Sequence, residues 1–250
     1  MDIITNKFKL TALYLFIFTE IILAGGPPWR TDDPIPLELG QHELYLFSAG
    51  AIDNGGVSGI GPAIEFNYGF LPNFMSHIIL PLAFDMPKNG KNHFGYGDTE
   101  VGIKYRFVEQ TDVVPAIGTF PIAEIPTGNA SDNLGNGKTQ LYLPLWLQKD
   151  IGSWTICTGG GYWINPGTDN KNWQFYGFQV QYNFSDNFYL GMETFHQTAS
   201  TIDSKGYTGL HIGGAVTVVN GYQILFSGDA GNGITSYKHF DYYLGLYHTF

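Results

Sequence analysis

The sequence predicts an all-β protein, a single antiparallel transmembrane β-barrel of about 12 strands preceded by a signal peptide. Three observations predict this fold. Segments of roughly ten residues alternate between apolar and polar side chains, their connections alternate between short and long, and the chain ends on Phe250. Because successive strand side chains point to opposite faces, each segment has one apolar and one polar side. So many strands with so polar a second face favour a barrel in lipid over a soluble sandwich.

Composition narrows the class of protein further. Charged residues make up 14% of the 250 residues, aromatic residues 16%, and the net charge is −10. The chain is too apolar for disorder, and beyond the N-terminus it has no apolar run long enough for a membrane helix. The acidic balance disfavours nucleic acid as a partner. Cys157, the single cysteine, cannot form an intrachain disulfide and is expected to be a packing residue.

Residues 1–24 resemble a secretory signal peptide. Lys7 and Lys9 precede a mostly apolar stretch over 10–23, and small residues follow at Ala24 and Gly25. Glu20 interrupts the apolar stretch, so an uncleaved N-terminal anchor helix is the alternative. Cleavage near Ala24 would remove two acidic and two basic residues, which leaves the net charge at −10.

Residues 25–40 are predicted to form an extended periplasmic leader, because they contain four prolines and no strand periodicity. Trp29, Arg30, Asp32 and Asp33 combine polar groups with this stiff backbone. We expect them to fold into the periplasmic mouth of the barrel as a partial plug.

Residues 41–250 are predicted to form the barrel. The expected strands are 41–51, 60–70, 74–85, 97–108, 113–124, 138–149, 153–164, 172–184, 187–198, 207–218, 221–229 and 239–250. Every second connection, beginning with 71–73, is expected to be a tight turn, whereas 52–59, 86–96, 125–137 and 230–238 are longer. Short periplasmic turns that alternate with longer outer loops are typical of outer-membrane barrels. Proline within strands at Pro81, Pro115, Pro121 and Pro144 predicts bulges or kinks.

Aromatic residues cluster near the predicted short turns and would form an interfacial girdle: Tyr68, Phe70, Phe74, Tyr105, Phe107, Trp154, Tyr182, Phe184, Phe188, Tyr222 and Phe250. A C-terminal Phe250 on an amphipathic strand resembles the signal by which bacterial outer-membrane proteins are inserted. The expected partners are therefore the barrel-assembly machinery, outer-membrane lipid and lipopolysaccharide, and a small-molecule solute.

Polar and charged strand residues should face the lumen, because lipid tolerates charge poorly. The alternation assigns the solute path to Glu65, Asn67, Asp98, Glu100, Lys104, Arg106, Tyr142, Trp146, Gln179, Gln181, Glu193 and His211. Glu65, Lys104 and Glu193 fall near mid-height. They either form a constriction that selects solutes by charge or pair to fill a narrow barrel.

Catalytic chemistry is not predicted. An outer-membrane lipid hydrolase would need a serine beside a histidine, but no strand histidine has a serine two residues away, and no G-x-S-x-G motif occurs. No His/Cys cluster has the spacing of a metal site, and no cofactor is expected.

The sequence also resembles a family of bacterial outer-membrane barrels named for the meta-cleavage pathway of phenol degradation. The resemblance rests on Arg30-Thr31-Asp32-Asp33-Pro34 with Gly40-Gln41-His42-Glu43, on Gly97-Asp98-Thr99-Glu100, and on Pro126-Thr127-Gly128. It covers most of the mature chain. It implies passage of small, often aromatic or apolar, compounds across the outer membrane of a Gram-negative cell, and it implies no catalytic residues.

The predicted function is therefore a channel or transporter for small solutes. A closed structural or adhesive barrel and an outer-membrane lipid hydrolase are the alternatives, and a soluble β protein is a further one.

Overall fold

A computed structural model describes residues 27–229 and 239–250 of the chain. The predicted signal peptide over 1–24 and the connection over 230–238 lie outside the described residues. The strands are β1 (His42–Asp53), β2 (Gly56–Leu71), β3 (Phe74–Pro87), β4 (His93–Tyr96), β5 (Thr99–Val108), β6 (Ala116–Thr119), β7 (Ile122–Ile125), β8 (Gln140–Ile151), β9 (Trp154–Ile164), β10 (Trp173–Ser185), β11 (Phe188–Gln197), β12 (Tyr207–Val219), β13 (Tyr222–Asp229) and β14 (His239–Thr249).

These strands close into one antiparallel barrel of twelve staves, which confirms the predicted fold. Successive staves pair with each other, and β1 pairs with β14 from Glu43↔Thr249 to Asp53↔His239. Closure leaves no unpaired sheet edge along this seam. Fourteen strands make twelve staves because β4 and β5 both pair with β3, and β6 and β7 both lie between β5 and β8.

The two divided staves correct the predicted strands 97–108 and 113–124. The fourth stave begins earlier, at His93, and is interrupted at Gly97 and Asp98. The fifth begins later, at Ala116, so Pro115 precedes it, and it is interrupted at Phe120 and Pro121. Proline has no N–H to donate to the neighbouring strand. Because the strand is interrupted at Pro121, no backbone hydrogen bond is required there.

Pro144 lies in β8 opposite the interruption at Pro121. Pairing on either side of it joins Gly118 to Trp146 and Ile122 to Tyr142. The side chain of Thr119 donates a 2.6 Å hydrogen bond to the carbonyl of Pro144 across the gap. Pro81 pairs with Ala63 beside a register shift in β2. Two prolines thus share one gap in the wall, and a third lies beside an irregularity.

Two predicted connections were wrong in length. β1 and β2 keep pairing up to Ile52↔Val57, so their connection is only Asn54 and Gly55 instead of a long loop. The connection from β5 to β6 covers 109–115 and is longer than the expected tight turn. We call the end with the connections after β2, β8, β10 and β12 the turn end, and the opposite end the loop end. Both β1 and β14 have their terminal ends at the turn end.

The outer surface of the barrel is apolar between its two ends. In β8, Leu141, Leu143 and Leu145 point outward and are 41–52% exposed, whereas Tyr142 and Trp146 point inward and are buried. At the turn end the outward aromatic rings contact one another as the girdle requires. Tyr68, His42, Phe250, His248 and Tyr222 stack in that order, with ring centroids 4.1–5.3 Å apart. Within the described ranges, no helix is long and apolar enough to cross a membrane.

Candidate functional site: the leader in the lumen and its two flanking cavities

The described part of the leader, residues 27–40, lies inside the barrel. Thr31 and Asp33 are fully buried, with at most 1% of their surface exposed, and Trp29 is 7% exposed. The segment passes β2, β6 and β10 and reaches β13, where Ser227 donates a 2.6 Å hydrogen bond to the carbonyl of Pro28. The structure therefore places the leader deeper than the periplasmic mouth where the sequence predicted it.

Glu193 of β11 binds the leader backbone. The amide nitrogens of Arg30 and Thr31 donate to its two carboxylate oxygens, each at 2.8 Å. His211 lies 3.2 Å from the same carboxylate. Glu193 is fully buried, and a buried carboxylate without partners is strongly destabilising. Leader docking thus supplies partners that Glu193 requires.

Lys104 of β5 holds the leader from the other side. Its ammonium lies 2.9 Å from Asp32 and 3.1 Å from Asp33. One ammonium offsets the charge of only one of the two carboxylates. Burial raises the pKa of the Asp33 carboxyl to about 8, and the neighbouring Asp32 adds to the shift, whereas Lys104 opposes it. The docked leader therefore favours a protonated Asp33.

Glycines in three strands make room for the leader. A Cβ on Gly69 would collide with the carbonyl of Glu38, one on Gly118 would lie 2.9 Å from Pro34, and one on Gly177 would collide with Thr31. Contacts this short are not available to real Cβ atoms. The wall is therefore shaped to the leader at three separate positions.

Arg30 ends in a set of aromatic rings and oxygen acceptors at the loop end. Its guanidinium carbon lies 4.5 Å from the ring centroid of Phe195, 5.6 Å from that of Phe175 and 5.8 Å from that of Tyr207. Its nitrogens also donate to the Tyr207 hydroxyl at 2.5 Å and to Gln197 at 3.0 Å, and they lie 3.4 Å from Asp241. We call Phe175, Phe195, Tyr207, Gln197 and Asp241 the cage.

The wall formed by β1, β2, β3, β5 and β7, which we call the acid wall, carries a hydrogen-bonded network. His77 lies 2.7 Å from Asn67 through one ring nitrogen and 2.8 Å from Glu100 through the other. Asn67 donates to Glu65 at 2.9 Å and to Glu43 at 3.2 Å. The Tyr247 hydroxyl donates to Glu43 at 2.8 Å. This network runs along the wall from the turn end to Glu100.

Two cavities adjoin this wall. The first, of about 630 Å³, lies at the turn end and is lined by Glu43, Glu65, His77, Lys104 and the leader. The second, of about 330 Å³, lies at the loop end and is lined by Asp98, Glu124, Phe84 and residues 133–136. Ile79 and Glu100 line both cavities. Ile79 and Glu100 therefore lie between the two cavities, and His77 holds the Glu100 carboxylate.

The structure separates the three residues predicted at mid-height. Glu65 contacts Asn67 and His77, Lys104 contacts Asp32 and Asp33, and Glu193 contacts the leader amides. Their partners come from neighbouring strands and from the leader, and none of the three residues pairs with another.

The other predicted lumen residues have mainly local roles. Gln179 donates to Gln181 at 3.0 Å in a buried amide pair. Asp98 accepts from the amides of Gly128 and Asn136 and so holds the connection over 126–139. Arg106 binds Asn73 at 2.7 Å at the turn end. Tyr142 and Trp146 are buried in an aromatic group with Phe175 and Phe195.

Sequence reasoning missed His77, Phe175, Phe195, Tyr207 and Asp241 as site residues. Alternation alone puts Phe175 and Phe195 on the inner face, since they share it with Gln179 and Glu193. Aromatic residues are common on the inner face of a barrel, so the sequence gives no sign that Phe175 and Phe195 contact Arg30. That role follows only from the position of the leader.

Comparisons with known structures agree with this fold. The chain superposes on the crystal structure of an outer membrane channel from Pseudomonas putida F1 with a TM-score of 0.69 and 16% identity, covering 87% of this chain and 98% of that one. The NanC porin gives 0.55 and 10%, covering 82% and 98%. The translocator domain of the autotransporter NalP from Neisseria meningitidis gives 0.53 and 13%, covering 86% and 90%.

The chain has the fold of outer-membrane β-barrels. At these identities the similarity shows the fold alone. No family model matches the chain, and neither does any curated protein. The resemblance to the phenol-degradation family therefore stays a prediction.

Proposed function

We propose that the protein is an outer-membrane channel of a Gram-negative cell for small, including aromatic or apolar, solutes, and that the leader is its partial plug. The single observation that carries this is the position of the leader. The leader lies in the lumen, and its described part continues into the barrel wall only at β1. Two cavities lie beside the leader, and Ile79 and Glu100 line both of them. A closed structural barrel could fill its lumen with wall side chains and would not need a separable segment.

Charge supports a preference of the path for cations and neutral solutes. The acid wall presents Glu43, Glu65, Glu100, Asp98 and Glu124 to the two cavities. Rings of acidic side chains favour cations in channels. A solute would pass along this wall, with Glu100 between the two cavities. The apolar outer surface faces lipid and lipopolysaccharide, and the C-terminal strand ending at Phe250 is recognised by the barrel-assembly machinery. The protein is not an enzyme in this proposal.

Deletion of residues 26–38 tests the proposal. The expected result is a several-fold rise in single-channel conductance in a planar bilayer, because the lumen loses the segment that occupies it. Migration in unheated electrophoresis, compared with the boiled sample, verifies that the deleted chain still forms a barrel. Unchanged conductance in a folded barrel would count against the plug. Absence of conductance in both proteins would favour a closed structural barrel.

A further inference from the structure

We propose that the cage at the loop end is a binding site for solutes that carry a guanidinium or an organic ammonium group, and that Arg30 occupies it as a tethered internal ligand. This inference rests on the proposed function only where it concerns plug release. Binding itself is a separate property of the barrel.

Three aromatic rings and three oxygen-bearing groups contact the Arg30 guanidinium. The faces of Phe195, Phe175 and Tyr207 are within 6 Å of the guanidinium carbon, and an aromatic face attracts cations. Gln197 and Tyr207 present oxygen acceptors, and Asp241 supplies a carboxylate. Removing the Arg30 side chain would leave these groups converging on one position, where a free cation of similar size fits.

Tyr207 and His211 both contact the Asp241 carboxylate of the cage. Tyr207 donates a 2.5 Å hydrogen bond to Asp241, which holds the carboxylate beside the rings. His211 lies 3.7 Å from Asp241 and packs edge-on against Phe195. Glu193, next to His211, is already bound by the leader amides. Arginine and ammonium groups are bound in this way by aromatic groups combined with a carboxylate.

Arg30 is placed for competition. Its side chain remains 34% exposed, so a solute reaches the cage without first unfolding the barrel. A tethered ligand has an effective concentration on the order of millimolar. A free cation therefore displaces Arg30 only when it binds the cage more tightly than the guanidinium of Arg30 does, or when its concentration exceeds this effective concentration. When it does, the leader loses one anchor, although Glu193 and Lys104 retain theirs.

Binding of guanidinium chloride to the full chain in detergent, measured by calorimetry with sodium chloride as the blank, tests the proposal. Tetramethylammonium serves as the second probe. The Arg30→Gln variant should bind guanidinium at least tenfold more tightly than the wild type, because the internal ligand is gone. The double variant Arg30→Gln with Asp241→Asn should lose most of this gain, and Arg30→Gln with Phe195→Leu should lose part of it.

Lys149→Gln is the matched control. It removes a cation at the turn end, where the ammonium binds the carbonyls of Thr111 and Asp112, and it should leave guanidinium binding unchanged. Equal affinity in the wild type and Arg30→Gln, or full binding without Asp241, would overturn the proposal. Circular dichroism and unheated electrophoresis verify that each variant is folded.

The test separates the cage from the channel. Tight binding by Arg30→Gln in a protein without bilayer conductance would support the cage and contradict the proposed function. Conductance without any binding would do the reverse. In a conducting protein, guanidinium should raise the frequency of leader-free openings in the wild type and not in the Arg30→Gln variant.

Discussion

The wall formed by β10, β11 and β12, which we call the docking wall, and the acid wall face the same lumen with different chemistry. The docking wall offers Gly177, Glu193 and the aromatic rings of the cage, and the leader covers it closely. The acid wall offers Glu43, Glu65 and Glu100, and cavities remain beside it. Both walls contact the leader, since Lys104 of the acid wall binds Asp32 and Asp33, but the cavities remain only beside the acid wall. In the proposed function, the docking wall therefore holds most of the plug, and the solute passes along the acid wall.

The largest effect is expected from filling the leader's place on the docking wall. In Gly177→Leu, the new side chain would occupy the volume of Thr31, and the leader could not dock. Single-channel conductance should rise several-fold, as in the leader deletion. Leu145→Phe, on the outward face of β8, is the control and should conduct like the wild type. Wild-type conductance in Gly177→Leu would show that the two walls are not divided in this way.

The next largest effect concerns Glu193. Glu193→Ala would leave the buried Thr31 amide and the partly buried Arg30 amide without an acceptor, at a cost of roughly 3 kcal/mol of docking free energy. Hydrogen exchange at the Thr31 amide should accelerate on the order of 100-fold, because each 1.4 kcal/mol is a factor of ten. Glu193→Gln keeps one oxygen acceptor and should show a smaller acceleration. Exchange as slow as in the wild type would mean that the leader is held without Glu193.

A smaller effect is expected from pH. Because docking raises the pKa of Asp33 from 3.8 to about 8, the docked state binds a proton that the undocked leader releases. Its contribution to docking is fully present below pH 4 and is lost as pH rises towards 8. Leader-free openings should therefore become several-fold more frequent over this interval. Asp33→Asn should remove this dependence, and an opposite trend in the wild type would refute the assignment of the proton to Asp33.

The smallest effect is expected on the acid wall. Glu100→Gln should lower the cation-to-anion permeability ratio about twofold, because the path loses a negative charge between the two cavities. Reversal potentials in a salt gradient measure this ratio. Glu109→Gln removes an exposed carboxylate at the turn end and should leave the ratio unchanged. An equal loss in both proteins would place selectivity outside the acid wall.

Sequence reasoning was most successful where a strand must satisfy two environments. In β8, leucines at 141, 143 and 145 had to face outward, which put Tyr142 and Trp146 inside. The interruptions at Asp98 and Pro121 were harder to predict, because an interruption depends on what lies opposite. Pro144 has its gap only because β6 and β7 leave one beside it. The length of the Asn54–Gly55 turn likewise depended on how far β1 and β2 keep their pairing.

Residue type alone does not show which charges meet. Glu65, Lys104 and Glu193 were predicted at one height, but they have no partner in common, and two of the three bind the leader. The two partners of Lys104, Asp33 and Asp32, lie 71 and 72 positions away along the chain. Strand alternation reports a face, and it carries no information on where a proline-rich segment runs inside the barrel.

The sequence by itself determined the all-β fold, the strand number, the apolar outer face and the polar inner face, because a period of two is enforced at every residue of a strand in contact with two different environments. Only the tertiary structure decided that the leader occupies the docking wall, that Arg30 enters the cage, and that space remains along Glu43, Glu65 and Glu100. Those arrangements depend on contacts between residues far apart in the chain, and no local pattern encodes them.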